Sequence, residues 1–171
     1  MFRRCACLAV LALFAMAAHA TETTATPANN SDNKPKAEAP RYGALRFVAV
    51  NLRKGPGKRY PIDWVYRRPG MPVEVIKSFD TWYRIRDYEG AEGWVHKTQV
   101  KFQRRGMITG KIRPLFESPD DKSAVQAYLQ PLVLFDLTGC SAEWCAVRGD
   151  GFSGYLRKTG FFGAYAKEVF E

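Results

Sequence analysis

Histidine and cysteine are scarce in this 171-residue chain, with two of the first and four of the second. Beyond residue 20 only His96, Cys140 and Cys145 remain. A histidine-cluster metal site, a zinc ribbon or a supported Cys–His nucleophile pair needs more ligands than that. We therefore expect no metal, no cofactor and no catalytic centre. Long apolar runs are as rare: the one at residues 5–18 is shorter than the roughly 20 residues that span a bilayer. After it, no window carries a 3.6-residue apolar stripe, which argues against a helical fold. Acidic residues are in the minority, 17 against 26 Lys and Arg.

The apolar run has Arg3 and Arg4 before it, Ala18-His19-Ala20 at its end and polar Thr21 after it. That order reads as a secretory signal peptide over residues 1–20, cleaved after Ala20, and the shortness of the run disfavours a retained membrane anchor. The expected location is periplasmic or secreted, with no membrane span after cleavage and no nucleic-acid partner. Residues 21–41 are rich in Thr, Ala, Asn, Lys and Pro, with no apolar periodicity, and read as a disordered linker. Charge beyond it is unevenly placed. Residues 41–105 carry 15 Lys or Arg against 6 acids, whereas residues 107–171 carry 7 against 8. Such an imbalance serves either solubility or attraction to a polyanion.

From Tyr42 onward the pattern is one of short strands and turns, and the expected fold class is all-β. Strands are predicted at residues 45–53, 65–66, 72–79, 82–87 and 93–95, with Asp80-Thr81 and Glu89-Gly90 as hairpin turns. Two-residue alternation places Tyr83 and Ile85 on the core side, and Trp82, Arg84 and Arg86 on the exterior. Trp94 is read as structural, and His96 as a solvated strand-end residue. The same order recurs: Trp144-Cys145-Ala146-Val147-Arg148 repeats residues 82–86, and Gly154-Tyr155-Leu156-Arg157 repeats residues 93–96. Residues 112–119 take the place of residues 50–57 but lack their glycines.

The most specific run is Val50-Asn51-Leu52-Arg53 followed by Gly55-Pro56-Gly57, then Trp82-Tyr83 and Gly93-Trp94-Val95. On these motifs the chain resembles proteins with two bacterial SH3-like domains in tandem, exported to the cell envelope. The resemblance implies two small bent barrels of about five strands each. We place the first at residues 42–104, which is basic, the second at 105–166, and a C-terminal tail at 167–171. It also implies binding rather than catalysis, in many members of peptidoglycan or of a partner enzyme. The candidate ligand-binding residues are Arg53, Lys54, Lys58, Arg59, Tyr60, Trp64, Trp82 and Arg84. Arginine grips carboxylates through paired hydrogen bonds, and aromatic faces stack on sugar or peptide planes. For Trp64 and Trp82 a core role competes with the ligand role, because a barrel of this size needs aromatic area to close.

Cys140 and Cys145 flank a predicted hairpin at a spacing that lets them pair as a disulfide, and export makes the bond plausible. A redox-active pair favours two intervening residues and a βαβ setting, which this stretch lacks. The expectation is a non-enzymatic envelope protein that recognises peptidoglycan or another anionic envelope polymer through its first domain. An adaptor that docks an envelope enzyme or membrane protein is the alternative.

Overall fold

The computed structural model describes residues 40–171. The signal peptide and nearly all of the linker read from the sequence lie outside the described residues. What is described is all-β, in two sheets of seven strands built to one plan. The first contains β1 (Arg41–Leu45), β2 (Val50–Arg53), β3 (Ile62–Tyr66), β4 (Pro72–Phe79), β5 (Trp82–Arg86), β6 (Glu92–His96) and β7 (Val100–Lys101). The second contains β8 (Arg105–Ile108), β9 (Arg113–Phe116), β10 (Val125–Leu129), β11 (Leu134–Cys140), β12 (Trp144–Gly149), β13 (Phe152–Arg157) and β14 (Phe161–Phe162). The orders are β3-β2-β6-β5-β4-β1-β7 and β10-β9-β13-β12-β11-β8-β14, so every strand of one sheet has a counterpart in the other. Each copy also carries a 3-10 turn before its last strand, Lys97–Gln99 and Lys158–Gly160.

Inward residues at every second position close each barrel. Leu52, Val73, Ile85 and Val95 are fully buried in the first, and Leu115, Phe135, Val147 and Leu156 in the second. The shared glycine of β6 and β13 has a steric reason. A Cβ on Gly93 would lie 2.6 Å from Leu52 and 2.9 Å from the carbonyl of Arg53, and one on Gly154 would lie 2.5 Å from the carbonyl of Phe116. Only glycine lets these strands meet their neighbours β2 and β9 so closely.

Four sequence expectations need correction. The strand predicted over residues 45–53 is two strands, because the chain crosses from beside β4 to beside β6 and leaves Phe47 and Val48 exposed on the way. The short strand predicted at residues 65–66 begins at Ile62 and includes Trp64. The second copy keeps the expected alignment at Trp144 and Gly154 but starts one residue later than expected: β9 and β10 match β2 and β3 in length and in pairing, so Arg113 stands for Val50 and Ser118 for Gly55. Finally, residues 167–171 are no free tail. Phe170 exchanges two backbone hydrogen bonds with Cys140, at 2.7 and 3.0 Å, and the buried Lys158 ammonium donates to the carbonyls of Ala166 and Glu168.

The two sheets belong to one compact unit and share a packed boundary. Met107 of β8 is buried in the core cluster of the first sheet. Tyr42 meets Phe162 edge-on at 5.1 Å and Tyr165 at 4.6 Å. The buried Glu74 carboxylate accepts from Tyr165 Oη and from Arg86 Nη1, both at 3.0 Å. The segment Arg104-Arg105-Gly106, expected as a boundary, is drawn into this contact. Arg104 pairs with Glu168, and Arg105 lies 3.0 Å from Asp136.

Candidate functional site

The loop between β2 and β3 is held by its own residues. Arg53 Nη1 donates to the carbonyls of Lys58 at 3.2 Å and Tyr60 at 2.7 Å, so this guanidinium organises the turn from within. The Tyr60 ring lies flat on Gly55, where a Cβ would come within 2.5 Å of ring carbon. Arg59 sits over the same ring at 5.1 Å, and Lys54 pairs with Asp63 at 3.5 Å across the loop mouth. Lys58 has no ion pair among the described residues. The basic loop is therefore a folded platform that presents Lys58 and Arg59 to solvent.

The second copy keeps the backbone of this loop and replaces Lys54 and Lys58 by acids, while Lys122 stands for Arg59. Lys54 N–H to Pro61 O, Gly57 N–H to Gly55 O and Tyr60 N–H to Gly57 O recur as Glu117 to Ala124, Asp120 to Ser118 and Ser123 to Asp120. The aromatic-on-glycine contact becomes a serine pair, with Ser118 N–H donating to Ser123 Oγ at 3.0 Å. Glu117 and Asp121 occupy the positions of Lys54 and Lys58.

Register pairs then extend the site from the loop across the outer face of the first sheet. Ile62 faces Arg53, Arg53 faces Trp94, Trp94 faces Arg84, and Arg84 faces Lys77. Cross-strand partners share a face, so these five residues form one row over five strands. Phe79 joins it, with its ring 6.3 Å from that of Trp94. Arg84 is held by Glu92 at 2.9 Å, and Arg86 lies between Glu92 and Glu74. The equivalent row of the second sheet is Val125, Phe116, Tyr155, Ala146 and Gly139, with no charge in it. The charge imbalance seen in the sequence is thus concentrated at matched positions of two equal folds.

Trp82 lies on this face in register, opposite Phe79 and His96, but it is covered. It is 8% exposed, with its ring edge-on to His96 at 5.5 Å, and it offers no surface for stacking. Trp144 does the same in the second copy, closed by Phe116 at 5.3 Å and by Arg157 over its ring at 4.6 Å. The indole flanked by guanidiniums is Trp94, which strict alternation from buried Gly93 and Val95 would have pointed outward. Lys77, Phe79 and Ile62 were also missed, because their place in the row depends on strand register.

Trp64 is 63% exposed and borders a cleft of about 780 Å³ with Tyr66, Tyr88, Asp63 and Glu89. Tyr66 Oη donates to Asp87 Oδ2 at 2.9 Å, and Asp87 Oδ1 accepts from the backbone N–H groups of Glu89 and Ala91. Burial, then this hydrogen bond, pushes the Tyr66 hydroxyl far above its ordinary pKa, so it stays a donor. In the second copy Ala127 and Leu129 replace Trp64 and Tyr66, and the Phe152 ring covers Gly149 in the place of Asp87. The aromatic cleft, like the cationic row, exists once.

Cys140 and Cys145 form the expected disulfide, facing each other in the β11–β12 hairpin with Cα atoms 4.1 Å apart. No group of three or more potential metal ligands occurs among the described residues. No helix among the described residues is long and apolar enough to cross a membrane.

With this geometry in place, the comparisons with known proteins can be read. The bacterial SH3 domain model matches the chain twice, at residues 48–101 and 109–160. The chain belongs to the bacterial SH3 domain family, as two domains in tandem. Solved structures similar to it include NlpC1 from Trichomonas vaginalis, with a TM-score of 0.35 at 11% identity over 73% of this chain and 46% of that one. NlpC2 from the same organism gives 0.35 at 10%, over 74% and 49%. The chain spans about half the length of these proteins, and likeness of this degree carries no argument. A search of the curated proteins finds no match.

Proposed function

We propose that the protein is a non-enzymatic binding protein of the cell envelope, and that its first domain engages peptidoglycan or another anionic envelope polymer. The observation that carries this reading is the row Lys77, Arg84 and Trp94, replaced by Gly139, Ala146 and Tyr155 in the second domain, with Lys58 and Arg59 on the adjoining loop. A linear polymer with carboxylates at intervals suits a row of cations with an indole among them. Trp64, at the far edge of the loop, adds a second exposed aromatic face. Each solvent-exposed charge contact contributes about 1 kcal/mol or less, so useful affinity arises from many equivalent sites on one polymer. The second domain acts as a disulfide-clamped support.

The test is co-sedimentation of the exported form with purified sacculi at two salt concentrations. Retention should fall as salt rises, because exposed charges are screened within about 10 Å at 0.1 M. Lys58→Ala with Arg59→Ala, and separately Lys77→Ala with Arg84→Ala, should each weaken retention while leaving the melting temperature near that of the parent. Binding indifferent to both pairs removes the site assignment.

The cleft beside Trp64 favours a second reading, an adaptor for an extended segment of an envelope protein. Asp63 and Glu89 at its rim match a basic side chain better than an anionic polymer. A single stoichiometric crosslinked protein, without retention on sacculi and lost in Trp64→Ala, would favour the adaptor.

A further inference from the structure

The duplication makes one exchange in the second barrel conspicuous. Val50, fully buried in the first core, is replaced by Arg113, and Gln99 of the first 3-10 turn is replaced by Gly160. The two exchanges fit together: a Cβ at Gly160 would lie 3.1 to 3.3 Å from the Arg113 side chain, so the missing side chain makes room for the guanidinium stem. Arg113 Nε is sealed from solvent without a hydrogen-bond partner, and the residue makes no ion pair among the described residues. Arg113 lines a cavity of about 140 Å³ with Phe116, Leu156 and Thr159, beside the Asp121–Arg157 ion pair. The neighbouring acid, Asp121, does not serve it, since both Asp121 oxygens are bound by Arg157.

A guanidinium Nε–H sealed from solvent and left without an acceptor is costly unless something completes it. The cavity has room for a few atoms, given that one water takes about 30 Å³ of liquid. Its wall is apolar at Pro114, Phe116 and Leu156, and polar at Arg113, Thr159 and the mutually paired Asp121 and Arg157. We infer that this cavity of the second domain is a binding site for a small carboxylate, held by Arg113 with Thr159 beside it and its alkyl part against Phe116 and Leu156. The site is independent of the cationic row, which lies in the other domain.

The test uses the exported form of the chain and three probes: acetate, N-acetyl-alanyl-alanine with a free carboxyl terminus, and the same dipeptide as its amide. Amide shifts in a ¹⁵N spectrum should move at Arg113, Thr159 and Gly160 with the free dipeptide and not with the amide. Acetate moving the same residues as strongly would assign the site to free small acids; acetate much weaker than the dipeptide would assign it to peptide termini. Arg113→Met should weaken binding at least tenfold, the order expected for a charge-assisted hydrogen bond, and Arg113→Lys should restore part of it. If Arg113→Met does not fold, the acid-against-amide contrast in the parent chain decides alone. Equal shifts with acid and amide, no shifts at these residues, or binding lost in the Lys58→Ala, Arg59→Ala variant would overturn the inference.

Discussion

At the scale of single residues, the loop around Gly55 shows two solutions to one backbone. In the first domain glycine admits the Tyr60 ring, and Arg53 ties the loop through two carbonyls. In the second domain two serines bond each other over the same turn. Neither Gly55 nor Gly57 has a positive φ, so their role is space rather than conformation. We expect Gly55→Ala to cost about 1–3 kcal/mol by forcing the ring aside. Tyr60→Ser should relieve most of that cost, so the double variant should be more stable than the sum of the singles predicts. Urea denaturation of the four proteins measures the coupling, and strict additivity would remove the steric explanation. The basic motif was legible in the sequence, but Arg53 read there as a ligand contact works as an internal brace. Its two acceptors are backbone carbonyls five and seven residues on, which no side-chain pattern announces.

At the scale of elements, the β11–β12 hairpin is both cross-linked and used as a docking strand. Cys140 bonds to Cys145 and pairs through its backbone with Phe170, while Arg104 stacks over the Phe170 ring at 4.3 Å. Replacing both cysteines by serine should lower stability by about 2 kcal/mol, the order for closing so short a loop. It should also raise the exchange rate of the Phe170 amide relative to core amides of the first domain. An unchanged Phe170 amide would mean that the C-terminal segment holds without the clamp. The cysteine pairing followed from spacing, whereas the docking of the C-terminal segment did not. Residues 163–171 show no alternation that marks a strand, and the backbone partner of Phe170 is Cys140, far upstream in the chain.

At the scale of the molecule, the two barrels are joined by a buried polar contact ringed with tyrosines. Burial, then the Glu74 carboxylate, pushes the Tyr42 hydroxyl up to about 12. Burial, then its hydrogen bond to Glu74, raises Tyr165 as well. Both groups thus have a higher pKa folded than the ordinary value of 10.0. Their stabilisation is complete below about pH 10; the part from Tyr42 is lost as pH climbs through about 12, and the part from Tyr165 at higher pH. Melting temperature should therefore fall over that window, and Tyr42→Phe, which keeps the ring against Phe162, should fall less steeply. Parallel curves for parent and variant would show that Tyr42 ionisation does not load the interface.

The sequence alone determined the class of fold, the duplication, the disulfide partners and the concentration of positive charge in one half. These are local facts: alternation of period two, a recurring order of short motifs, short spacing and composition each survive without knowledge of what touches what. Tertiary structure alone decided which indole stays uncovered, where the repeat is in register, and how the barrels join. Trp82 and Trp94 occupy neighbouring strands with similar patterns, and only the covering of Trp82 by His96 separates them. The row from Ile62 to Lys77 is made of residues from five strands, and pairing register, a non-local property, aligns them. Arg113 likewise reads as one more basic residue until the barrel closes around it in the place of a valine.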